Sequence, residues 1–264
     1  MSTVAMASYP LRDTWTMIWR QLKHMQRYLN LTIQLALIPI LFLLLFVYVF
    51  GGTLGDGLGG GSGGRDAYVN YVVPGILMMM VTAGNTGTAV SVSMDMTEGI
   101  VARFKTMAIA RVSVLTGHVV GSLIQAVLGL VLVIGVALLV GFRPNATAVE
   151  WLAAFGVLVM ISFALTWLCV ALGMVAKSLE TASNYPQPLI FLPFLGSGFV
   201  PTDSMPSWLR VFAEHQPFTP FMETIRGLLL GTGIGSSAIL SVAWSAAIAL
   251  GGYLWAKKLF NRQA

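Results

Sequence analysis

Apolar positions in this chain come in long runs rather than in the strict alternation of a half-buried strand, and short polar breaks separate the runs. The first run, Leu31 to Phe50, is about 20 residues and so about 30 Å as a helix, enough to cross the hydrocarbon of a bilayer. Further runs lie at about 68–94, 112–140, 151–176, 185–200 and 236–255. The pattern predicts an all-α integral membrane protein with six transmembrane helices. Pro39 should kink the first. The second is more polar. Its Asn70, Pro74, Asn85, Thr86 and Ser91 would be costly against lipid, so they should face other helices or a wet cavity. In the third, Gly117, Gly121, Gln125 and Gly129 recur every four residues as a small-residue stripe, suited to close approach by a helix of this chain or of a second copy. The fifth is short and broken by Pro186, Pro188 and Pro193, with Gly196 and Gly198 near its end. Irregular backbone at membrane depth needs cover from protein or a water-lined cavity, which places this span beside a pathway.

The breaks carry their own patterns. Gly51 to Gly64 reads as a flexible outer linker. Between spans 2 and 3, Thr97 to Arg111 holds Ile100, Val101, Phe104 and Met107 at helical spacing with Arg103 and Lys105 directed elsewhere, a short amphipathic helix with Thr97 as N-cap. Before the first span, Leu11, Trp15, Ile18, Trp19, Leu22 and Met25 share one helical face while Arg12, Arg20, Lys23 and Arg27 lie mostly off it. That describes an N-terminal amphipathic interfacial helix, or equally a soluble helix packed on a cytoplasmic partner. From Pro201 to Leu230 the chain is too polar to span and too apolar to float, which predicts outer re-entrant helices between spans 5 and 6. Two regions result: 1–30, cytoplasmic with the interfacial helix, and 31–264, the transmembrane domain. The sequon Asn145-Ala146-Thr147 falls in an outer turn.

Composition agrees with the pattern. Of 264 residues, 56% are apolar and 9% charged, against about 25% charged in soluble domains, and the mean hydropathy is +0.81. The net charge of +5 comes from basic residues beside apolar runs rather than from one patch, which points to lipid headgroups and away from nucleic acid. Eleven of the 15 basic residues fall in segments on the inner side of this topology, so a multi-pass protein of the cell inner (cytoplasmic) membrane with both termini cytoplasmic is expected. The first thirty residues lack the apolar core of a cleavable signal. Cys169, the single cysteine, lies inside an apolar run, where it reads as a small buried hydrophobe.

Candidate chemistry is sparse. The chain has no phosphate-binding loop motif, no His-Glu-x-x-His and no paired carboxylates at metal-ligand spacing, so catalytic and metal residues are both expected to be none. Asp95, Glu150 and Glu180 sit at span ends, which argues against a proton- or sodium-driven secondary transporter. His118 lies one or two turns in from the cytoplasmic end, and no Ser/His/Asp set is expected at one depth, which argues against a membrane-embedded enzyme. Met78-Met79-Met80 offers adaptable surface. Met79, Asn85, Phe191 and Phe194 are the candidates for a substrate path, with ordinary packing as the competing reading.

Two stretches carry a family resemblance. The run Glu98-Gly99-Ile100-Val101-Ala102-Arg103-Phe104-Lys105, with Ala110-Arg111 and Val114-Leu115-Thr116-Gly117, resembles the coupling-helix loop of ABC-2 family permeases of ABC transporters. The closest likeness is to the actinobacterial drug-resistance branch typified by the daunorubicin exporter's membrane subunit. Phe199-Val200-Pro201-Thr202-Asp203-Ser204-Met205-Pro206-Ser207-Trp208-Leu209, with Gln216-Pro217-Phe218-Thr219-Pro220 and Arg226, resembles that branch's outer re-entrant segment. Relatives often carry a proline shortly after the basic cluster, where this chain has Met107-Ala108, so the bend of the loop stays open. The resemblance implies a cytoplasmic coupling helix between spans 2 and 3 and a permease subunit that is not itself an enzyme and binds no cofactor. ATP and Mg would belong to a separate ATPase subunit in two copies. It further implies that Glu98, Gly99, Ile100, Arg103, Phe104, Lys105 and Arg111 meet the ATPase, with Trp15, Trp19, Arg20, Lys23 and Arg27 of the interfacial helix as a second contact. A second permease, making a homodimer, completes the expected assembly. The implied activity is export of amphipathic drugs, antibiotics or lipid-like molecules. A polysaccharide or glycolipid permease of the same family is the alternative, and a secondary active transporter a more distant one.

Overall fold

The computed structural model describes residues 29–57, 64–97 and 111–262, with side chains from 33 and excluding 111–116 and 262. The expected interfacial helix and the loop 98–110 lie outside the described residues. Among the described residues every regular element is helical. Helix α1, Leu29–Leu45, contains Pro39 and runs into a π-helical turn, Phe46–Phe50, and then α2, Gly51–Asp56. Helix α3 is Gly64–Thr97, α4 Arg111–Val140 and α5 Ala148–Val175. Two short helices follow, α6 Leu179–Asn184 and α7 Gln187–Phe191, then a 3₁₀ turn at Thr202–Ser204. Helices α8, Ser207–His215, and α9, Phe218–Leu230, precede the last, α10, Ser237–Arg262.

Five helical stretches are long and apolar enough to cross a membrane: Ile33–Asp56, Gly64–Thr97, Gly117–Val140, Ala148–Val175 and Ser237–Asn261. The run expected as a fifth span, 185–200, does not form a continuous helix. Pro186 and Pro193 cannot donate to a helical ladder, and the chain passes from α7 into successive turns up to Val200. The expected linker is also corrected in part. Gly51 to Asp56 are helical, because glycine lets α2 press on the start of α3, where a Cβ on Gly55 would strike the Gly64 carbonyl. Arg65 adds its guanidinium 4.7 Å above the Tyr48 ring.

The core is organised around α3. In its most apolar stretch 78% of residues are buried by protein, against 22% in α1 and 17% in α10, so α3 is central and the other two are peripheral. Its 34 residues reach about 50 Å, longer than the roughly 30 Å hydrocarbon layer, so its ends stand beyond it. The three methionines 78–80 are all buried. The methyl end of Met80 occupies the space a side chain on Gly129 would need, so this part of the glycine stripe on α4 serves packing within the chain. Helices α5 and α10 approach as closely: a Cβ on Gly252 would lie 2.7 Å from the Leu168 amide nitrogen. Cys169 is fully buried in α5. At the start of α5, Thr147 and Glu150 form a reciprocal capping box, the Glu150 carboxylate accepting from the Thr147 N–H at 2.7 Å.

Candidate functional site: the polar face of the central helix

Polar side chains on α3 meet its neighbours at successive depths. At its N-terminal end, Tyr68 donates its hydroxyl to the Phe199 carbonyl at 3.2 Å, and the Asn70 carbonyl oxygen accepts from the Arg143 N–H at 3.0 Å. Further in, Asn85 donates to the Val81 carbonyl at 2.8 Å, and its own oxygen lies 2.7 Å from the Thr166 hydroxyl on α5. That hydroxyl is also 2.6 Å from the Ser162 carbonyl, so its one proton is shared between two acceptors. Thr88 meets Ser122 of α4 at 2.6 Å. The expectation that the polar residues of this span face other helices holds for Asn85 and Ser91, and for Thr88, which the sequence reading did not single out, whereas Asn70 meets the connection between α4 and α5.

Near the C-terminal end of α3, three side chains converge. His118 Nε2 lies 2.9 Å from Asp95 Oδ2, and its Nδ1 lies 3.5 Å from Ser91 Oγ. The His118 side chain is 5% exposed and that of Asp95 14%. Ser91 and Asp95 are one turn apart on α3 and share a face, and the imidazole from α4 reaches both. A carboxylate only accepts, so Nε2 carries the proton, which leaves Nδ1 of a neutral ring to accept from Ser91. A Ser/His/Asp set therefore does lie at one depth, contrary to the sequence expectation. Ser91 is mid-helix, where backbone N–H groups are committed to the ladder, so its own helix offers no oxyanion donor.

Near the N-terminal end of α3 lies a half-buried arginine. Arg226 on α9 donates through Nη2 to the Ser197 carbonyl at 2.6 Å and the Tyr71 carbonyl at 3.3 Å, and its guanidinium carbon sits 4.0 Å over the Tyr71 ring. It thereby ties α9 to α3 and to the turns after α7. Close backbone contact completes this junction, since a Cβ on Gly75 would lie 2.7 Å from the Gly198 carbonyl oxygen. Gln216 adds a bond to the Leu192 carbonyl at 3.0 Å. Beside it, Phe42, Phe46, Phe194 and Phe199 form an aromatic cluster in which Phe194 and Phe199 stack at 4.3 Å. On the exposed surface, Arg210 pairs with Asp203 and Glu214, each at 2.7 Å. The Glu214 bond and then the Asp203 charge push the guanidinium pKa above its ordinary value.

The four substrate-path candidates have different surroundings. Met79 and Asn85 are each 2% exposed and packed in protein, Phe194 is in the aromatic cluster, and Phe191 is 59% exposed on α7. Of the expected ATPase contacts, Glu98, Gly99, Ile100, Arg103, Phe104 and Lys105 lie outside the described residues, and Arg111 is placed only as the first residue of α4. Trp15, Trp19, Arg20, Lys23 and Arg27 also lie outside them. Sequence reasoning missed the partnership of Asp95 with His118. The i, i+4 spacing of Ser91 and Asp95, ahead of a lone histidine in the next span, was the available signal.

A buried central helix with polar rungs at each depth, flanked by long apolar helices, defines a multi-pass α-helical membrane protein. Residues 12–230 match the ABC-2 type transporter family model, and the chain belongs to that family. It is 28% identical over 168 residues to a daunorubicin resistance ABC transporter permease protein of Streptomyces coeruleorubidus, covering 63% of this chain and 59% of the relative. It is 23% identical over 183 residues to a probable doxorubicin resistance ABC transporter permease protein of Mycobacterium tuberculosis, covering 69% and 66%. The matches thus span about three-fifths to two-thirds of these relatives' lengths.

Proposed function

We propose that this chain is the membrane permease subunit of an ABC exporter that moves amphipathic drug-like or lipid-like molecules out of the cytoplasm or inner leaflet. A separate ATPase subunit supplies ATP hydrolysis, in two copies on a permease homodimer. The observation that carries the reading is the family match over residues 12–230, together with the drug-resistance permeases among its relatives. The six-span topology with both termini cytoplasmic belongs to the same reading. The ATPase docks on the loop between α3 and α4, through Glu98, Arg103 and Phe104, with the N-terminal amphipathic helix as a second contact. Loop displacement tilts α3 and α4, and transport follows when the inward state holds substrate more tightly than the outward one.

The test is reconstitution of the chain with an ABC ATPase subunit in proteoliposomes, using doxorubicin as the transported probe. ATP-dependent movement of the probe supports the reading. Hydrolysis that moves no drug-like probe but responds to a glycolipid favours the polysaccharide or glycolipid alternative. Glu98→Ala, Arg103→Ala and Phe104→Ala should each weaken ATPase co-purification about tenfold, as truncating a central interface side chain does. Unchanged co-purification in all three would remove the docking assignment.

A further inference from the structure

We infer that Asp95 and His118 are positioning residues that lock the inner ends of α3 and α4 together, so that displacement of the intervening loop reaches both helices as one unit. The inference rests on the docking role proposed above for that loop. It starts from placement: α3 ends at Thr97 and α4 begins at Arg111, so Asp95 stands just before the loop and His118 two turns after it. The two side chains meet at 2.9 Å and both are largely withdrawn from solvent.

Helices joined only by a loop and apolar contacts can slide past one another, because lipid tails solvate an apolar surface about as well as a neighbouring helix does. A short polar contact away from water resists that slide, since separating the partners costs each a hydrogen bond in a poor solvent. Ser91 reinforces the lock from one turn away, on the ring nitrogen opposite Asp95. One turn further in, Thr88 and Ser122 cross-link the same two helices at 2.6 Å. The hydroxyl pair carries no charge, so the ionisable pair nearest the loop is the main element of the lock. Neither residue is among the loop's proposed docking residues or the candidates for the substrate path. Its loss should therefore leave ATPase binding intact and reduce the work obtained from each ATP.

The experiment measures, in proteoliposomes holding the permease and its ATPase subunit, doxorubicin moved per ATP hydrolysed, together with ATPase co-purification. Asp95→Ala and His118→Ala should each lower the transport-to-hydrolysis ratio at least about tenfold, within the range of ordinary coupling energies, with basal hydrolysis and co-purification within about twofold of the parent. The double variant should be no worse than either single one, as expected for residues acting as a pair. Asp95→Asn, which keeps an acceptor oxygen for His118 Nε2, should recover part of the ratio. Three results overturn the inference: an unchanged ratio in both single variants, a double-variant loss equal to the product of the single losses, or a fall in transport matched one for one by a fall in assembly. Failure of the parent complex to transport at all would instead be failure of the exporter reading.

Discussion

Arg226 shows how much one side chain can organise. Its guanidinium bonds to main-chain carbonyls of two other segments and lies on the Tyr71 ring. A lysine ammonium keeps the charge but ends one bond short of Nη2 and has no planar face to lay on the Tyr71 ring. Arg226→Lys should therefore cost about 2 kcal/mol, the scale of a lost charged hydrogen bond. It would be read as a lowered unfolding midpoint in detergent, and an unchanged midpoint would show that the junction of α9 with α3 stands without it. The motif that resembles the re-entrant segment included this arginine, but its partners lie far away in sequence. Nothing local to Arg226 signals Tyr71 or Ser197. The Ser91–His118–Asp95 set was hidden in the same way, because relating the rotational phase of two helices requires the packing of α3 on α4.

At the scale of the element, α5 and α10 meet through glycine. Gly251 and Gly252 are neighbours on α10, but a Cβ on Gly251 meets nothing within 4 Å while one on Gly252 falls 2.7 Å from backbone of α5. Both alanine substitutions gain helix propensity of roughly 0.5–1 kcal/mol. Gly252→Ala should nonetheless destabilise by about 1–3 kcal/mol through overpacking, whereas Gly251→Ala should be neutral or stabilising. The comparison of the two midpoints is the measurement, and similar values would show that α10 adjusts freely. Hydropathy made the long helices legible: the bounds expected for the second and third spans fall inside α3 and α4, and those of the fourth, 151–176, pass the end of α5 by one residue. Composition misled at Gly51–Asp56, where glycines read as linker but allow a helix to lie tightly against α3. The proline-rich fifth run was legible as irregular, and it is a short helix followed by successive turns.

For the whole molecule, a central helix of this length fixes two loops on opposite sides of the bilayer. An epitope inserted at Gly60 should be reached by antibody on intact cells, and one inserted at Ala108 only after permeabilisation. Exposure of the second on intact cells would reverse the orientation and place the basic loop beyond the reach of any cytoplasmic ATPase. Hydropathy made the spanning helix legible, and the charge bias is what assigns its proposed orientation. The candidate site was less legible, because the loop's proposed partner is another protein and the candidates for the substrate path are side chains whose present neighbours are mostly other parts of the same chain.

The single cysteine carries a consequence of a different kind. Cys169 on α5 is fully enclosed by protein, out of contact with maleimides in solution. The natural chain is thus nearly silent to such reagents. New thiols placed one at a time along either half of the protein would report their own surroundings without first stripping out a native reactive group.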